Sequence, residues 1–76
     1  MKELVETIAK ALVDHPEEVT VTENRDGKNV EINLHVASGD MGKVIGKQGR
    51  IAKAIRAVVK AASSKDNVRV DVDIED

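Results

Sequence analysis

Three stretches of the 76-residue sequence alternate between apolar and polar residues. They cover residues 18–24, 30–36 and 68–75, and each offers a single apolar face, which is typical of a strand in a sheet that is covered on one side. A polar segment that contains Gly27 separates the first two stretches, so it predicts a β-hairpin in which Gly27 adopts a positive φ. The fold must therefore bury one face of a sheet and leave the other in water.

Two long amphipathic helices are predicted to cover that face, because their apolar residues recur three and four positions apart. The first spans residues 2–13 and ends before Pro16, since proline disfavours helical backbone in the preceding residue. Its apolar stripe, assigned to the core, comprises Leu4, Val5, Ile8, Ala11 and Leu12. The second helix spans residues 50–62. Its apolar arc comprises Ile51, Ala54, Ile55, Val58, Val59 and Ala62, and its basic arc Arg50, Lys53, Arg56 and Lys60.

A shorter helix is predicted over roughly residues 40–45, with Ser38 or Asp40 as its N-cap. The element order is thus α-β-β-α-α-β. Because two helices join the last two strands, we expect a right-handed crossover and a parallel strand pair. The fold class is α+β, with a three-stranded mixed sheet and all helices packed on one face. We expect residues 1–76 to form one domain.

Charge is distributed unevenly along the chain, although the net charge is only −2. Seven of the 12 basic residues lie between Met41 and Lys65, and none of the 14 acidic residues does. The seven are Lys43, Lys47, Arg50, Lys53, Arg56, Lys60 and Lys65. A basic segment on an otherwise acidic chain predicts local attraction to phosphate groups.

Composition excludes several other classes of protein. Without cysteine there is neither a disulfide framework nor a thiolate metal site, and without aromatic residues there is no stacking platform for bases. The lack of cysteine fits a cytoplasmic protein, and because no membrane span or signal peptide is evident, no membrane contact is expected. His15 and His35 have no second metal ligand at a suitable spacing. We therefore expect no metal and no cofactor and, since no nucleophile–base pair is present, no enzyme.

Gly46 and Gly49 bracket a turn at the start of the second long helix. Glycine allows the backbone to approach a ligand closely, and the N–H groups of a helix N-terminus favour phosphate. The spacing differs from the G-x-x-x-x-G-K-[ST] of a P-loop and from the G-x-G-x-x-G of dinucleotide-binding proteins. A second G-x-x-G, residues 39–42, contains an acid and lacks basic neighbours, so we interpret it as a turn that begins a helix.

The segment Val44-Ile45-Gly46-Lys47-Gln48-Gly49, placed between two helices within the α-β-β-α-α-β order, resembles the V-I-G-x-x-G motif of KH domains of the bacterial, type II topology. Along essentially its whole length, the chain is most similar to the small free-standing KH proteins of bacteria, the KhpA type. This resemblance implies a groove that clamps about four nucleotides of single-stranded RNA, or occasionally DNA.

The resemblance also implies roles for individual residues. Gly46–Gly49 would bind the backbone phosphates, while Val44, Ile45 and Ile55 would help to form the floor of the groove. The third strand and residues 63–67 would form its opposite wall. The predicted RNA-binding residues are Lys43, Val44, Ile45, Gly46, Lys47, Gln48, Gly49, Arg50 and Lys53.

The prediction for function is non-catalytic binding of single-stranded RNA by an RNA chaperone or post-transcriptional regulator. Because one KH domain contacts few nucleotides, we expect a homodimer, or a heterodimer with another KH-containing RNA-binding protein, to add avidity. The alternative is a protein-interaction module in which the KH fold provides a dimerisation surface and RNA binding is secondary.

Overall fold

The computed structural model describes residues 1–76 and has the predicted α-β-β-α-α-β order. Its elements are α1 (Lys2–Leu12), β1 (Thr20–Asp26), β2 (Asn29–His35), α2 (Met41–Ile45), α3 (Arg50–Ser63) and β3 (Arg69–Glu75). Every element type is as predicted, and no boundary moves by more than two residues. The longest helix has 14 residues, and no helix has the length and apolar character needed to span a membrane.

The three strands form one mixed sheet in the order β1-β2-β3. In the antiparallel hairpin Asp26 lies opposite Asn29, so the turn consists of Gly27 and Lys28, and Gly27 has the predicted positive φ of 60°. β2 and β3 run parallel, with Asn29 opposite Arg69. The helical connection between these strands explains the parallel pairing, since it returns the chain to the same end of the sheet.

One face of the sheet is buried beneath the helices, as the alternation predicts. Its buried strand residues are Val21, Val30, Ile32, Leu34 and Val72. Val70 and Ile74 of β3 are partly buried against the same core. The other face carries the alternating polar residues and is open to water.

The buried side of α1 differs from the predicted stripe. Val5 and Ala9 are completely buried, and Val13 continues the same line just beyond the helix. Leu12 is 39% exposed, and Ile8 is only partly buried. The assignment of the whole stripe to the core was therefore wrong, because α1 contacts the sheet along one narrow line and turns its flank toward α3.

The buried side of α3 is rotated in the same way. The core line runs through Ala52, Ile55 and Val59, whereas Ala54 is exposed and Val58 is 45% exposed. The predicted apolar arc was therefore too wide on the side that faces α1. Two aliphatic flanks, one from each helix, are left next to each other at the surface.

Asp40 is the N-cap residue of α2, which is one of the two predicted alternatives, but its side chain makes no capping hydrogen bond. Its carboxylate is buried and accepts hydrogen bonds from the backbone N–H groups of Asp14, at 3.2 Å, and His15, at 3.0 Å. These N–H groups follow the last residue of α1, and the Asp40 carboxylate is their acceptor. Asp40 thereby fixes the end of α1 against the segment that leads into α2.

Candidate nucleic-acid interface

The glycine turn, Gly46–Gly49, has an unusual backbone that follows from its sequence. Gly46 has φ 76° and ψ 174°, and Gly49 has φ 74° and ψ 16°. Gln48 also lies in the left-handed region, at φ 58° and ψ 24°, which costs a non-glycine residue about 1 kcal/mol. Three of the four residues in the turn thus require positive φ, and two of them are glycine.

The two glycines are needed for different reasons. A Cβ atom on Gly46 would lie 2.6 Å from Cγ1 of Ile51, so the backbone here packs directly on the first turn of α3. A Cβ atom on Gly49 would meet nothing within 4 Å. Gly46 therefore provides both close packing and an allowed conformation, and Gly49 provides only the latter.

The turn leaves backbone donors free for a ligand. The Gly46 N–H donates to the Gly42 carbonyl at 2.9 Å, and the Gly49 N–H donates to the Gly46 carbonyl at 3.1 Å. The N–H groups of Lys47 and Gln48 have no acceptor within the protein. Two adjacent free N–H groups immediately before α3 form a favourable environment for a phosphate oxygen.

Basic side chains surround these donors without competing acids. Lys47, Gln48, Arg50 and Lys53 are exposed, and none of the three cations among them forms a salt bridge. Lys43 on α2 is the exception, because its Nζ lies 3.5 Å from a carboxylate oxygen of Asp14. The cations at the turn are therefore unpaired, whereas Lys43 beside the turn is partly neutralised by Asp14.

We expect the substitution Asp14→Asn to tighten RNA binding about twofold, since it releases Lys43 from a surface ion pair worth at most about 1 kcal/mol. The measurement is a titration of a short single-stranded RNA at low salt. Glu17→Gln, which removes an equal charge paired only with His15, serves as the control. Equal affinities for the Asp14 and Glu17 variants would show that the release of Lys43 contributes nothing.

The basic arc of α3 is divided between two surfaces, which the helical wheel did not predict. Arg50 lies beside an apolar groove between α1 and α3, which also includes Ile51 and Val58. Arg56 lies on the opposite flank, where its Nε donates to the Val72 carbonyl of β3 at 3.2 Å. Lys60 lines the same side as Arg56. Arg56 and Lys60 therefore lie on the flank of α3 that faces β3, in a cavity that also contains Glu31, Asp71 and Asp73.

β3 is an edge strand and presents backbone groups to that surface. The Arg69 N–H donates to the Lys28 carbonyl at 2.7 Å, and the Glu75 carbonyl accepts from the Val36 N–H at 3.0 Å. Odd-numbered residues of β3 thus direct their backbone toward β2, so the even-numbered ones direct theirs to the open edge. These outward residues are Val70, Val72 and Ile74.

A cavity of about 530 Å³, here called the β3 groove, lies between α3 and this edge. Its walls are formed by Glu31, Arg56, Lys60, Val70, Asp71, Val72 and Asp73. A second cavity, of about 600 Å³, continues from it to Ser63, Ser64 and Asn67 at the start of β3. The structure therefore contains a groove where the sequence analysis expected the third strand and residues 63–67 to form a wall.

The predicted floor of the groove needs correction. The side chain of Val44 is completely buried, and that of Ile55 is 3% exposed. Val44 is enclosed in the core, and the small exposed part of Ile55 lines the apolar groove between α1 and α3 instead of the β3 groove. Ile45 is only partly buried, so it is the most accessible member of the predicted floor.

The sequence analysis missed a group of potential metal ligands that follows the C-terminal end of α1. His15, Glu17 and Glu18 place their ligand atoms within 4.8 Å of one another, and His15 Nδ1 lies 3.4 Å from Glu17 Oε1. The argument from spacing failed because a single 3₁₀ turn over Pro16–Glu18 brings these side chains together. All three are exposed, and exposed acidic groups of this kind are common in proteins that bind no metal there.

Comparison with known proteins identifies the family. The family model for the KH domain of KhpA and KhpB matches residues 2–74. The RNA-binding protein KhpA of Clostridium acetobutylicum is 62% identical over 74 residues, which cover 97% of this chain and 99% of that protein. KhpA of Halalkalibacterium halodurans is 60% identical over 76 residues, the full length of both.

Solved structures agree with the fold. A crystal structure of an Aquifex aeolicus Era variant bound to GDP.AlF4- superimposes with a TM-score of 0.74 over 97% of this chain, at 18% identity. The chain spans only 29% of that Era chain. The sequence match over nearly the whole chain and this structural match together show that the protein belongs to the KhpA/KhpB family of KH domains.

Proposed function

We propose that the chain is a single KH domain that binds single-stranded RNA without catalysis, between the glycine turn and the edge of β3. The observation that carries this proposal is the pair of free N–H groups at Lys47 and Gln48, in a turn that no acidic residue neutralises. Two comparisons support it. The relatives at 60–62% identity are named RNA-binding proteins, and a second Era structure, TM-score 0.57, is a complex with nucleotides 1506–1542 of 16S ribosomal RNA.

In this proposal the phosphates and the bases contact different parts of the protein. A phosphate oxygen accepts from the two free N–H groups, while Lys47, Arg50 and Lys53 attract the adjoining phosphates. The bases lie over the β3 groove, where aliphatic side chains and the outward backbone of β3 replace the aromatic platforms that this chain lacks. Such a clamp requires no metal or cofactor.

Only a few nucleotides fit such a site, so its role is best described as transient attachment to exposed single strands. We infer an RNA chaperone or post-transcriptional regulator that acts in the cytoplasm, where its ligand is found. Binding through one site of this size is weak, and association with a second KH-containing chain would raise the effective affinity.

Salt dependence tests the proposal directly. We expect the logarithm of the association constant for an eight-nucleotide single strand to fall with the logarithm of salt concentration, with a slope of about −2, as for roughly three phosphates at −0.7 each. The measurement is fluorescence anisotropy between about 50 and 300 mM salt, a range over which the Debye length falls by a factor of about 2.4. The duplex form of the same sequence, which cannot enter a single-strand groove, is the control. A flat profile would exclude a phosphate clamp.

The apolar groove between α1 and α3 favours a second function, a dimerisation module. Its six apolar members are Ile8, Leu12, Ile51, Ala54, Ile55 and Val58. Leu12 and Val58 are the two large apolar side chains of the protein that are exposed. An apolar strip shared by two helices is typical of a contact with another chain. It lies on the flank of α3 away from the β3 groove, so both functions are compatible.

We expect sedimentation to show a concentration-dependent dimer for the parent protein and a monomer for Val58→Asp, since a buried unpaired carboxylate opposes such an interface. Ala57→Asp, an exposed neighbour on the same helix, is the matched control and should dimerise like the parent. A parent that stays monomeric up to millimolar concentration, about 4 kcal/mol of association, would exclude self-association.

A further inference from the structure

Arg56 has a contact that sets it apart from the other cations of α3. It is the only one whose side chain hydrogen-bonds to the protein backbone, through Nε to the Val72 carbonyl at 3.2 Å. That carbonyl belongs to the outward set of the edge strand. The bond holds the guanidinium in the β3 groove, over which the proposed function places the bases.

This contact uses an acceptor of the β3 backbone and brings the donors of a guanidinium into the groove. A guanidinium carries five N–H donors in a planar fork. With Nε directed at the Val72 carbonyl, the terminal amino groups remain, and no carboxylate lies within salt-bridge distance of them. At this point the groove therefore offers paired donors, and one lone pair of the Val72 carbonyl is already used by Arg56.

Resting on the proposed RNA-binding function, we propose that Arg56 makes the groove prefer guanine over adenine at the base that lies against Val72. Guanine presents two adjacent acceptors, O6 and N7, which match a guanidinium fork. Adenine presents N7 beside an amino donor, which opposes the fork. Arg56 is in this sense a residue that determines specificity, while the glycine turn supplies the binding that is independent of sequence.

The test compares two seven-nucleotide RNAs, AAAGAAA and AAAAAAA, because a short site can select its register around a single guanine. We expect the guanine strand to bind about tenfold more tightly, near the lower end of the range for a bidentate contact. Inosine at the same position keeps O6 and N7 and should bind like guanine. 7-Deazaguanine lacks N7 and should fall most of the way to adenine.

Two variants locate the preference in Arg56. Arg56→Lys keeps the charge but not the fork, so it should bind the two strands within about twofold of each other. Lys60→Gln, which lines the same cavity, should weaken both strands equally and keep the ratio. Both positions are exposed, and thermal unfolding checks that each variant is folded.

The outcomes separate this inference from the proposed function. Binding of both strands with equal affinity, or a preference that Arg56→Lys retains, would overturn the role of Arg56 and leave RNA binding intact. Equal binding of guanine and 7-deazaguanine would overturn it as well. Failure of either strand to bind the parent at low salt would overturn both proposals.

Discussion

Replacing Lys47 and Gln48 together by aspartate is expected to lower RNA affinity roughly 30- to 150-fold while the domain stays folded. The change removes one cation and adds two anions beside the two free N–H groups that the proposal assigns to phosphate. Like charges brought together at an interface cost several kcal/mol, and a loss of about 2–3 kcal/mol corresponds to that range of affinity. Fluorescence anisotropy with a short single strand measures it.

The fold should tolerate this double substitution for reasons visible in the turn. Lys47 and Gln48 are exposed, and both glycines are kept. Gln48 has a left-handed backbone, a conformation that aspartate adopts more readily than glutamine does. Urea denaturation of the variant should give a midpoint close to that of the parent.

A matched control exists elsewhere in the chain. Lys28 and Asn29, also a lysine followed by an amide and also exposed, lie at the hairpin end of β2. The segment that leads to the glycine turn leaves the other end of that strand, about 20 Å away for seven residues. Replacing this pair by two aspartates changes the net charge equally and should weaken RNA binding by less than about threefold. Equal losses in the two variants would mean that overall charge, not the turn, controls binding.

The sequence predicted the sheet better than it predicted the helices. In β2 the alternation of apolar and polar residues specifies which face of the strand is buried, and all of the residues predicted to point inward are buried. On α3 the aliphatic residues cover a wide arc, so the wheel does not specify which line meets the sheet. Ala52 lies in the core and Val58 at the surface, because packing against two neighbours selects the line. Which line of α3 is buried depends on tertiary contacts, and the spacing of apolar residues along the sequence gives no information about these contacts.

The candidate site shows the same division. The motif predicted the position of the glycine turn and its nearby cations. It did not predict that Val44 is enclosed in the core, or that Arg56 reaches the Val72 carbonyl 16 residues away. The hydrogen bond from the Asp14 N–H to the Asp40 carboxylate also joins residues that are 26 positions apart. Contacts of this kind depend on where separate elements meet, so local spacing carries no information about them.

Gly46→Ala is expected to destabilise the domain by about 3 kcal/mol, because two costs combine. A residue other than glycine at φ 76° and ψ 174° is strained by about 1–3 kcal/mol. The new Cβ would also lie 2.6 Å from Ile51 Cγ1, and an overpacked contact of this kind costs a further 1–3 kcal/mol or so. For a chain of this length the midpoint of thermal unfolding should fall by about 15 °C. RNA binding should be lost as well, since the turn cannot keep its shape.

Gly49→Ala provides the comparison, since its Cβ would meet open space and only the left-handed backbone opposes it, at about 1 kcal/mol. The two variants separate strain in the turn from contact with α3. A third, Gly46→Ala combined with Ile51→Ala, isolates the contact. Removing the Ile51 side chain should reduce the cost of Gly46→Ala by at least 1 kcal/mol or so in a double-mutant cycle. Equal effects of Gly46→Ala and Gly49→Ala, with no coupling to Ile51, would show that the close approach of this turn to α3 does not determine its conformation.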